Sequence, residues 1–403
     1  MPANWSGWPE PVPVLIAASS GRALAASARR AGHRIAVLDL FCDTDLAALT
    51  GACAKVSRAS AGGFDEDSLL EAALRLAPPN DSPEWAFVYG AGFEARPQLI
   101  DRMAAGRTLL GNTGAVVAAA KDPVRLNAAL DRLGLPYPET RLDPPRDRDG
   151  PWLVKQVGGA GGIHIRYARP DEAEGERRYY QRFVEGRAVS AQVLGTKDGV
   201  TCLGFSEQWP GPGSLAAPFR FGGAVAPAEL SGALARKLED AGCRLADLLG
   251  LVGLNSVDFI VDDGAEAFHV IEVNPRPGAT LELFERAFGA SLFALHLRAA
   301  GGETLEPPAL PAATAAHASA ILYADEAFAF PDGFVWPEWT ADRPAGATRI
   351  GQGEPVCTVF AQAHIPPGAS ADPGGRAARA RELALARSEA LRDDVRRCIQ
   401  SRT

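Results

Sequence analysis

No stretch of this chain approaches the roughly 20 uninterrupted apolar residues that cross a bilayer, so no membrane span is expected. CxxC spacing is absent too. The six cysteines, Cys42, Cys53, Cys202, Cys243, Cys357 and Cys398, are scattered, which argues against zinc, iron–sulfur or thioredoxin-like chemistry and reads as core or surface thiols. The six histidines form no HExxH pair. No Lys/Arg stripe interleaved with aromatics accompanies the net charge of −8, so nucleic acid is not an expected partner. Met1 to Pro13 holds neither a basic start before an apolar core nor an Arg-rich amphipathic pattern, so no targeting peptide is expected and the expected compartment is the cytoplasm. There is no GxSxG elbow, which removes one route to a covalent nucleophile.

What is present fits two or three packed domains, with 403 residues of which 47% are hydrophobic and 22% charged. Residues 14 to 39 read as a β-α-β unit turning at Ser19, Ser20 and Gly21. Helix-like Ser68 to Leu76 and the strands Trp85 to Tyr89 and Thr108 to Leu110 continue the alternation, predicting a small parallel sheet over residues 1–115. One helical stretch, Ala115 to Leu133, leads into short strands: Trp152 to Val157, Ile163 to Ala168, Tyr179 to Val184, Ala188 to Leu194 and Thr201 to Glu207. The helix Ala228 to Leu249 and the strand pair Asn255 to Asp262 and Ala267 to Asn274 complete a region over 116–302. A Pro/Ala-rich connection from Glu303 to Ala316 then opens a region over 303–403 with short strands and an Ala/Arg-rich helix, Arg376 to Gln400.

The chemistry concentrates in three places. Glu272 and Asn274 are two apart on a strand and share a face, and Asp258 faces them if the two strands pair across Asp262 to Glu266. Three such oxygen-bearing groups suit Mg²⁺, which is held by a few carboxylates plus substrate phosphates. Arg276 lies just beyond on the same face, while Ile271 and Val273 are expected to pack inward. Upstream, Lys155 on a strand precedes Gly158, Gly159, Ala160, Gly161 and Gly162, a point charge and a glycine-rich turn able to offer backbone N–H groups to phosphate. His164 after it reads as an ordinary loop or strand residue, with a ligand as the alternative. Third, Tyr180 to Gly186 reads as an edge strand running into a turn, suited to framing an adenine ring.

In this order and spacing the motifs resemble the ATP-grasp superfamily over about residues 10 to 300, most specifically at Asp258 and Glu272-Val273-Asn274-Pro275-Arg276. The resemblance implies an α/β and α+β ATP-grasp fold. It has a Rossmann-like domain over 1–115, a two-part ATP-grasp domain over 116–302 with a lid at about 150–180, and a small C-terminal β domain with a terminal helix over 303–403. It further implies ATP with two Mg²⁺, Mn²⁺ being an alternative, held by Asp258, Glu272 and Asn274. Lys155 and either Lys121 or Arg125 would meet the phosphates, and Gly158 to Gly162 would form the lid. Gln181, Arg182 and Val184 would frame adenine. Arg276 and Lys155 would serve catalysis. Arg187 and Ala188 occupy the usual places of the acidic ribose ligand, with Glu185 as a substitute.

The implied reaction is ADP-forming: a small-molecule carboxylate is activated as an acyl phosphate and passed to an amine, with a homodimer as the candidate assembly. The chain is also similar to ATP-grasp proteins of methylotrophs linked to one-carbon carrier cofactors, including the tyramine–glutamate step of methanofuran-type synthesis. Glu94, after a strand of the first domain, reads either as an amine-orienting acid or as a helix cap or surface acid. Two alternatives stand beside this reading. One is a nicotinamide-dependent dehydrogenase with Asp39 on the ribose, which leaves Asp258, Glu272, Asn274 and Arg276 without a role. The other is a non-catalytic ATP-binding protein.

Overall fold

Strands covered on both faces read as unbroken apolar runs, and the first layer is built from them. β1 (Pro13–Ala18), β2 (Arg34–Asp39), β3 (Cys53–Lys55), β4 (Ala86–Tyr89) and β5 (Thr108–Leu109) form a parallel sheet ordered β3-β2-β1-β4-β5. Its connections carry α1 (Arg22–Arg30), α2 (Thr44–Leu49), α3 (Glu66–Leu76) and α4 (Gln98–Ala104). The computed structural model describes residues 11–400 apart from 61, 81–83, 146–149, 170–171, 173–174, 213–216, 307–309, 311–312 and 365–374. Met1 to Glu10 and part of the loop Asp143 to Asp149 thus lie outside the described residues.

The thiol reading needs one correction. Cys42 and Cys53 are joined by a disulfide, because the turn after β2 and the start of β3 bring their Cα atoms to 6.4 Å. Cys202, Cys243 and Cys357 are free thiols.

The expected single helix over Ala115 to Leu133 is two helices, α5 (Gly114–Lys121) and α6 (Pro123–Leu133). Pro123 has no N–H to donate, and the Asp122 carboxylate caps the new helix through the amides of Val124 and Arg125. This break leaves Lys121 at the end of α5.

Beyond it, β6 (Thr140–Arg141), β7 (Trp152–Gln156), β8 (Arg166–Tyr167) and β9 (Arg178–Arg182) form a small antiparallel sheet ordered β6-β9-β7-β8. The segment expected to be an edge strand, β9, is therefore interior, since β6 adds to it from 40 residues upstream. Sequence proximity gives no hint of that pairing.

The large sheet has eight strands, ordered β14-β13-β10-β11-β12-β15-β19-β17. Its first five in chain order are β10 (Arg187–Thr196), β11 (Gly199–Pro210), β12 (Phe221–Ala226), β13 (Gly253–Asp262) and β14 (Ala267–Asn274). From the region read as a small C-terminal β domain come β15 (Ala315–Tyr323), β16 (Phe328–Ala329), β17 (Thr340–Ala341), β18 (Arg349–Ile350) and β19 (Pro355–His364). Here β15 pairs directly with β12, so those strands extend the large sheet, while β16 and β18 form a separate ribbon.

Four further helices clothe the sheet: α7 (Gly232–Leu248), α8 (Leu281–Phe288), α9 (Leu292–Ala300) and α10 (Gly375–Gln400). The sequence pattern did not anticipate α8 and α9. Leu234, Leu238 and Leu245 of α7 pack on Val189, Val193 and Phe259. Ala380, Ala384 and Leu391 of α10 lie over β15 and β19. Phe284 and Phe293, from α8 and α9, join Val14 and Ile16 of the first sheet to Leu194 and Leu254 of the large one. That shared core fixes the first domain against the strands carrying Asp258 and Glu272. Among the described residues no helix is long and apolar enough to cross a membrane.

Candidate active site

Pairing of β13 and β14 sets Asp258 opposite Glu272 and Ser256 opposite Asn274. The register slips at Asp258/Phe259, where Phe259 pairs with Val270 and Ile271 is left over as the extra residue of a β-bulge. Val273 is fully buried as expected, but Ile271 is turned out by the bulge and lines the cleft, which corrects its expected inward packing.

Three oxygen-bearing groups meet at this point. The Asn274 amide nitrogen donates to Asp258 Oδ2 at 2.8 Å, and the Ser190 hydroxyl donates to Asp258 Oδ1 at 2.6 Å. The Lys121 ammonium lies 2.5 Å from Glu272 Oε1 and 2.9 Å from Asn274 Oδ1. A buried lysine thus stands where oxygens from two side chains converge on positive charge. Such a donor set fits a hard divalent cation that takes its remaining ligands from phosphate. Among the described residues no group of three or more His, Cys, Asp or Glu side chains is placed to hold a metal by itself.

Arg276 follows on the same face. Its Nε donates to Glu94 Oε1 at 2.9 Å, and its Nη2 lies 3.3 Å from Asn274 Oδ1. Glu94, only 3% exposed, also accepts from the Gly92 amide. Burial opposes ionisation of Glu94, but the Arg276 guanidinium, with Lys121 behind it, holds its carboxyl below the usual carboxylate range. Glu94 is therefore an internal partner of Arg276 and not a surface acid. Asn112 supports the motif from below by donating to the Pro275 carbonyl at 3.0 Å and to Asn255 at 2.7 Å. No sequence signal singled it out.

Across the cleft, Lys155 donates to Gln181 Oε1 at 2.6 Å. Burial, opposed by Glu272 and assisted by the Lys121 ammonium, pulls the Lys155 pKa down to about 8. Burial, then the neighbouring Glu272 carboxylate, pushes Asp258 up. Glu272 itself lies below its ordinary value because Lys121, and then Lys155 and His164, outweigh its burial. Two acids and two ammoniums share one enclosure without enough counter-charge at the Asp258 end.

Lys121 and Glu272 border a cleft of about 410 Å³ that Leu126, Thr140, Gly158, Gly159, His164, Tyr179, Gln181 and Ile271 also line, while Lys155, Asp258, Asn274 and Arg276 lie beside it and not in its lining. Of the residues expected around a nucleotide, Lys121, Gly158, Gly159 and Gln181 line it. Gly161 and Gly162 belong to the loop but not to that lining. Arg182 corrects its expected place: its guanidinium stacks over Trp152 at 4.7 Å, on the strand face opposite Gln181. Val184 is not among the lining residues either. Of the two candidate basic residues, Arg125 is exposed on α6 whereas Lys121 is in the cleft. Arg187 pairs with Asp263 and Glu207, and Glu185 is exposed, so neither enters the cleft. Leu126, Thr140, Asn127 and Tyr179 line it without having been anticipated. They come from one helix, α6, and two strands, β6 and β9, that only the fold brings beside the glycine loop.

That loop is lodged between two walls. Gly158 has φ +75° and a Cβ there would approach the Glu94 carbonyl to 2.3 Å, so only glycine fits. On the other side the Phe221 amide donates to the Gly161 carbonyl at 3.0 Å. The loop is thus closed over the cleft, touching both the first domain and the start of β12.

Asp39, the ribose ligand of the dehydrogenase alternative, is occupied. It accepts from the amides of Gly21, Phe41 and Cys42 at 2.6, 2.6 and 2.9 Å. Its carboxylate closes the loops at the end of the first sheet instead of facing a ligand.

Comparison with known proteins agrees with this geometry. A family model described as an ATP-grasp domain matches residues 120–280. The chain is 26% identical over 282 residues to a D-alanine–D-alanine ligase of Gluconobacter oxydans, covering 65% of this chain and 84% of that one. It is 30% identical over 227 residues to the carbamoyl phosphate synthase large chain of Thermus thermophilus, covering 50% of this chain but only 21% of that one. In fold it is similar to N5-carboxyaminoimidazole synthetase from Staphylococcus aureus in complex with ADP (TM-score 0.62, 13% identity, 93% of this chain and 96% of that). It also resembles the biotin carboxylase domain of Hydrogenobacter thermophilus 2-oxoglutarate carboxylase, solved with MgADP and bicarbonate (TM-score 0.66, 17% identity, 86% and 85%). The cleft between the small and large sheets, the acid–amide set on β13 and β14 and these matches agree: the chain has an ATP-grasp fold, with residues 120–280 matching the ATP-grasp domain.

Proposed function

We propose that this protein is an ADP-forming ligase that uses ATP and Mg²⁺ to activate a carboxylate and couple it to an amine. The observation that carries the reading is the meeting of Asp258, Glu272 and Asn274 with Lys121, Lys155 and Arg276 at one end of a cleft closed by a glycine loop. When bound, Mg-ATP would supply the phosphoryl group that converts an unreactive carboxylate into an acyl phosphate. Asp258, Glu272 and Asn274 would hold the metal, displacing the Lys121 ammonium from its present partners toward phosphate. Lys155 places a second positive charge on the opposite wall, where enclosure strengthens its pull on phosphate oxygens. Arg276, held by Glu94, presents its guanidinium beside Asn274 and so faces the reacting carboxylate from the first-domain side. The closed glycine loop excludes water, which otherwise hydrolyses an acyl phosphate before an amine can attack.

The narrower reading is coupling of an amino acid to an amine, of the tyramine–glutamate type, in the synthesis of a one-carbon carrier cofactor of the methanofuran or methanopterin kind. It rests on the similarity of the whole chain to ATP-grasp proteins of methylotrophs, on the likeness of its C-terminal strands to the small β domain of some carboxylate-amine ligases, and on the amino acid ligase among the relatives. The test is release of ADP and phosphate from ATP and Mg²⁺ across amino acids paired with amines, tyramine included. ADP formed only with a particular acid and amine together establishes the ligase and names its substrates. AMP with pyrophosphate replaces the acyl phosphate by an adenylate, and ADP formed with bicarbonate alone moves the acid to a one-carbon anion.

A further inference from the structure

We propose that His164 is a phosphate-contacting residue of the lid, its imidazole donating a hydrogen bond from Nδ1 to a nonbridging oxygen of the nucleotide's phosphate chain. The proposal rests on the nucleotide reading of the cleft above. Three observations carry it.

First, the ring lines the cleft at its charged end, where its electrostatic neighbours are Glu272, Lys155 and Lys121. Second, Nδ1 is buried and has no hydrogen-bond partner. A buried polar nitrogen left unpaired is costly, and native structures tolerate it mainly where a ligand or ion completes the site. The fully buried His296 is the contrast. Its Nδ1 accepts from the Leu254 amide at 2.9 Å and its Nε2 lies 3.0 Å from the Leu110 carbonyl, so it has nothing left to offer. Third, the loop is shaped around the His164 ring. A Cβ at Gly159 would fall 2.3 Å from the ring carbons, so the absence of a side chain there makes the seat for the imidazole. A surface histidine with no ligand would need no such seat.

Phosphate is the group that fits this position. Ammonium groups of Lys121 and Lys155 already supply full charges, and a third cation between them would be repelled. A neutral imidazole adds a directed N–H without that repulsion. Burial, assisted by the two ammoniums and opposed by Glu272 and by a backbone hydrogen bond to Ala160, keeps the proton affinity of the ring below its ordinary value. Because His164 rides on the glycine loop, its bond to phosphate would also tie loop closure to the presence of the phosphate chain.

Calorimetric binding of MgADP and of adenosine to the wild-type protein, His164→Ala and His164→Asn separates the alternatives. Loss of one hydrogen bond to a charged oxygen predicts that His164→Ala weakens MgADP by about ten- to hundredfold. Adenosine, which lacks phosphate, should bind as before, and Asn, which carries an N–H near the Nδ1 position, should recover part of the loss. A parallel loss for MgADP and adenosine means that the ring only shapes the loop and overturns the proposal, as does unchanged MgADP affinity. Wild-type protein that binds neither compound overturns the nucleotide reading itself, and the proposal with it.

Discussion

Two networks of buried charge, one between α1 and α8 and one around Glu272, are built on opposite plans. Where α1 meets α8, Glu282 takes Arg22 and Arg286, and Glu285 takes Ser27, Arg30 and the Leu292 and Phe293 amides. Arg22 is shared with Asp342, and although burial opposes it, Asp342 and Glu282 push its pKa far above the ordinary value. The charges of this network are answered within the protein. Around Glu272 the accounts stay open: Asp258 is pushed up by burial and its neighbour, Lys155 is pulled down, and His164 keeps an unpaired nitrogen. A saturated network holds domains together, while an unsaturated one waits for a ligand with the missing charges.

The largest expected effect tests the saturated side. Replacing Glu282 by Ala leaves Arg22 and Arg286 short of a partner, and breaking such a buried pair costs about 3–5 kcal/mol. Denaturant unfolding should show this loss, while MgADP affinity measured well below the unfolding midpoint stays as in the wild type. His296 offers a second test on that side. Burial lowers its pKa from 6.5 to about 4. The unfolded chain then binds the proton more readily than the folded one between these values, so stability rises with pH across that window. Up to about 3 kcal/mol should be lost as the pH falls from 6.5 to 4. In His296→Gln this contribution to the pH slope should vanish, and an unchanged slope refutes the assignment.

On the unsaturated side, Asp258→Asn and Glu272→Ala should lower ATP-dependent turnover by at least about 100-fold, comparable with loss of one transition-state contact. The melting temperature of Asp258→Asn should stay near that of the wild type, because the change relieves a carboxyl pushed up by burial and its neighbour, while Glu272→Ala should lower it by leaving the buried Lys121 without its partner. Retained turnover in both would remove the metal assignment. Gly158→Ala should act more weakly, about tenfold on kcat/KM, a 1 Å misplacement being enough for larger losses. It should do so by keeping the loop off the Glu94 carbonyl, and faster proteolysis of the loop should accompany it. Smallest of all, Arg125→Ala should leave nucleotide affinity unchanged where Lys121→Ala weakens it, a difference that binding measurements resolve directly.

Much of the site was legible because its parts are local in sequence. Glu272 and Asn274 alternate along one strand, two-residue periodicity alone puts them on one face, and Arg276 follows two residues beyond the strand's end. Lys155 with its glycine run is similarly local. Reading failed where a position depends on a distant segment. β6 turns β9 from an edge strand into an interior one, and with Gln181 committed to the cleft face, Arg182 must point to the other side and settle on Trp152. Ile271 escaped because a bulge, which no alternation pattern encodes, rotates one residue out of the ladder. Cys42 and Cys53 looked unrelated because spacing alone says nothing about where two loops end.

By itself, then, the sequence determined the alternation that builds the first sheet, the glycine loop and the shared face of Glu272 and Asn274, since these follow from backbone periodicity and local turn chemistry. Tertiary structure alone decided that Lys121 and not Arg125 enters the cleft, that Glu94 pairs with Arg276, and that His164 keeps a nitrogen free while His296 does not. Each of those outcomes depends on which distant segment supplies the partner, and burial makes the presence or absence of that partner energetically decisive.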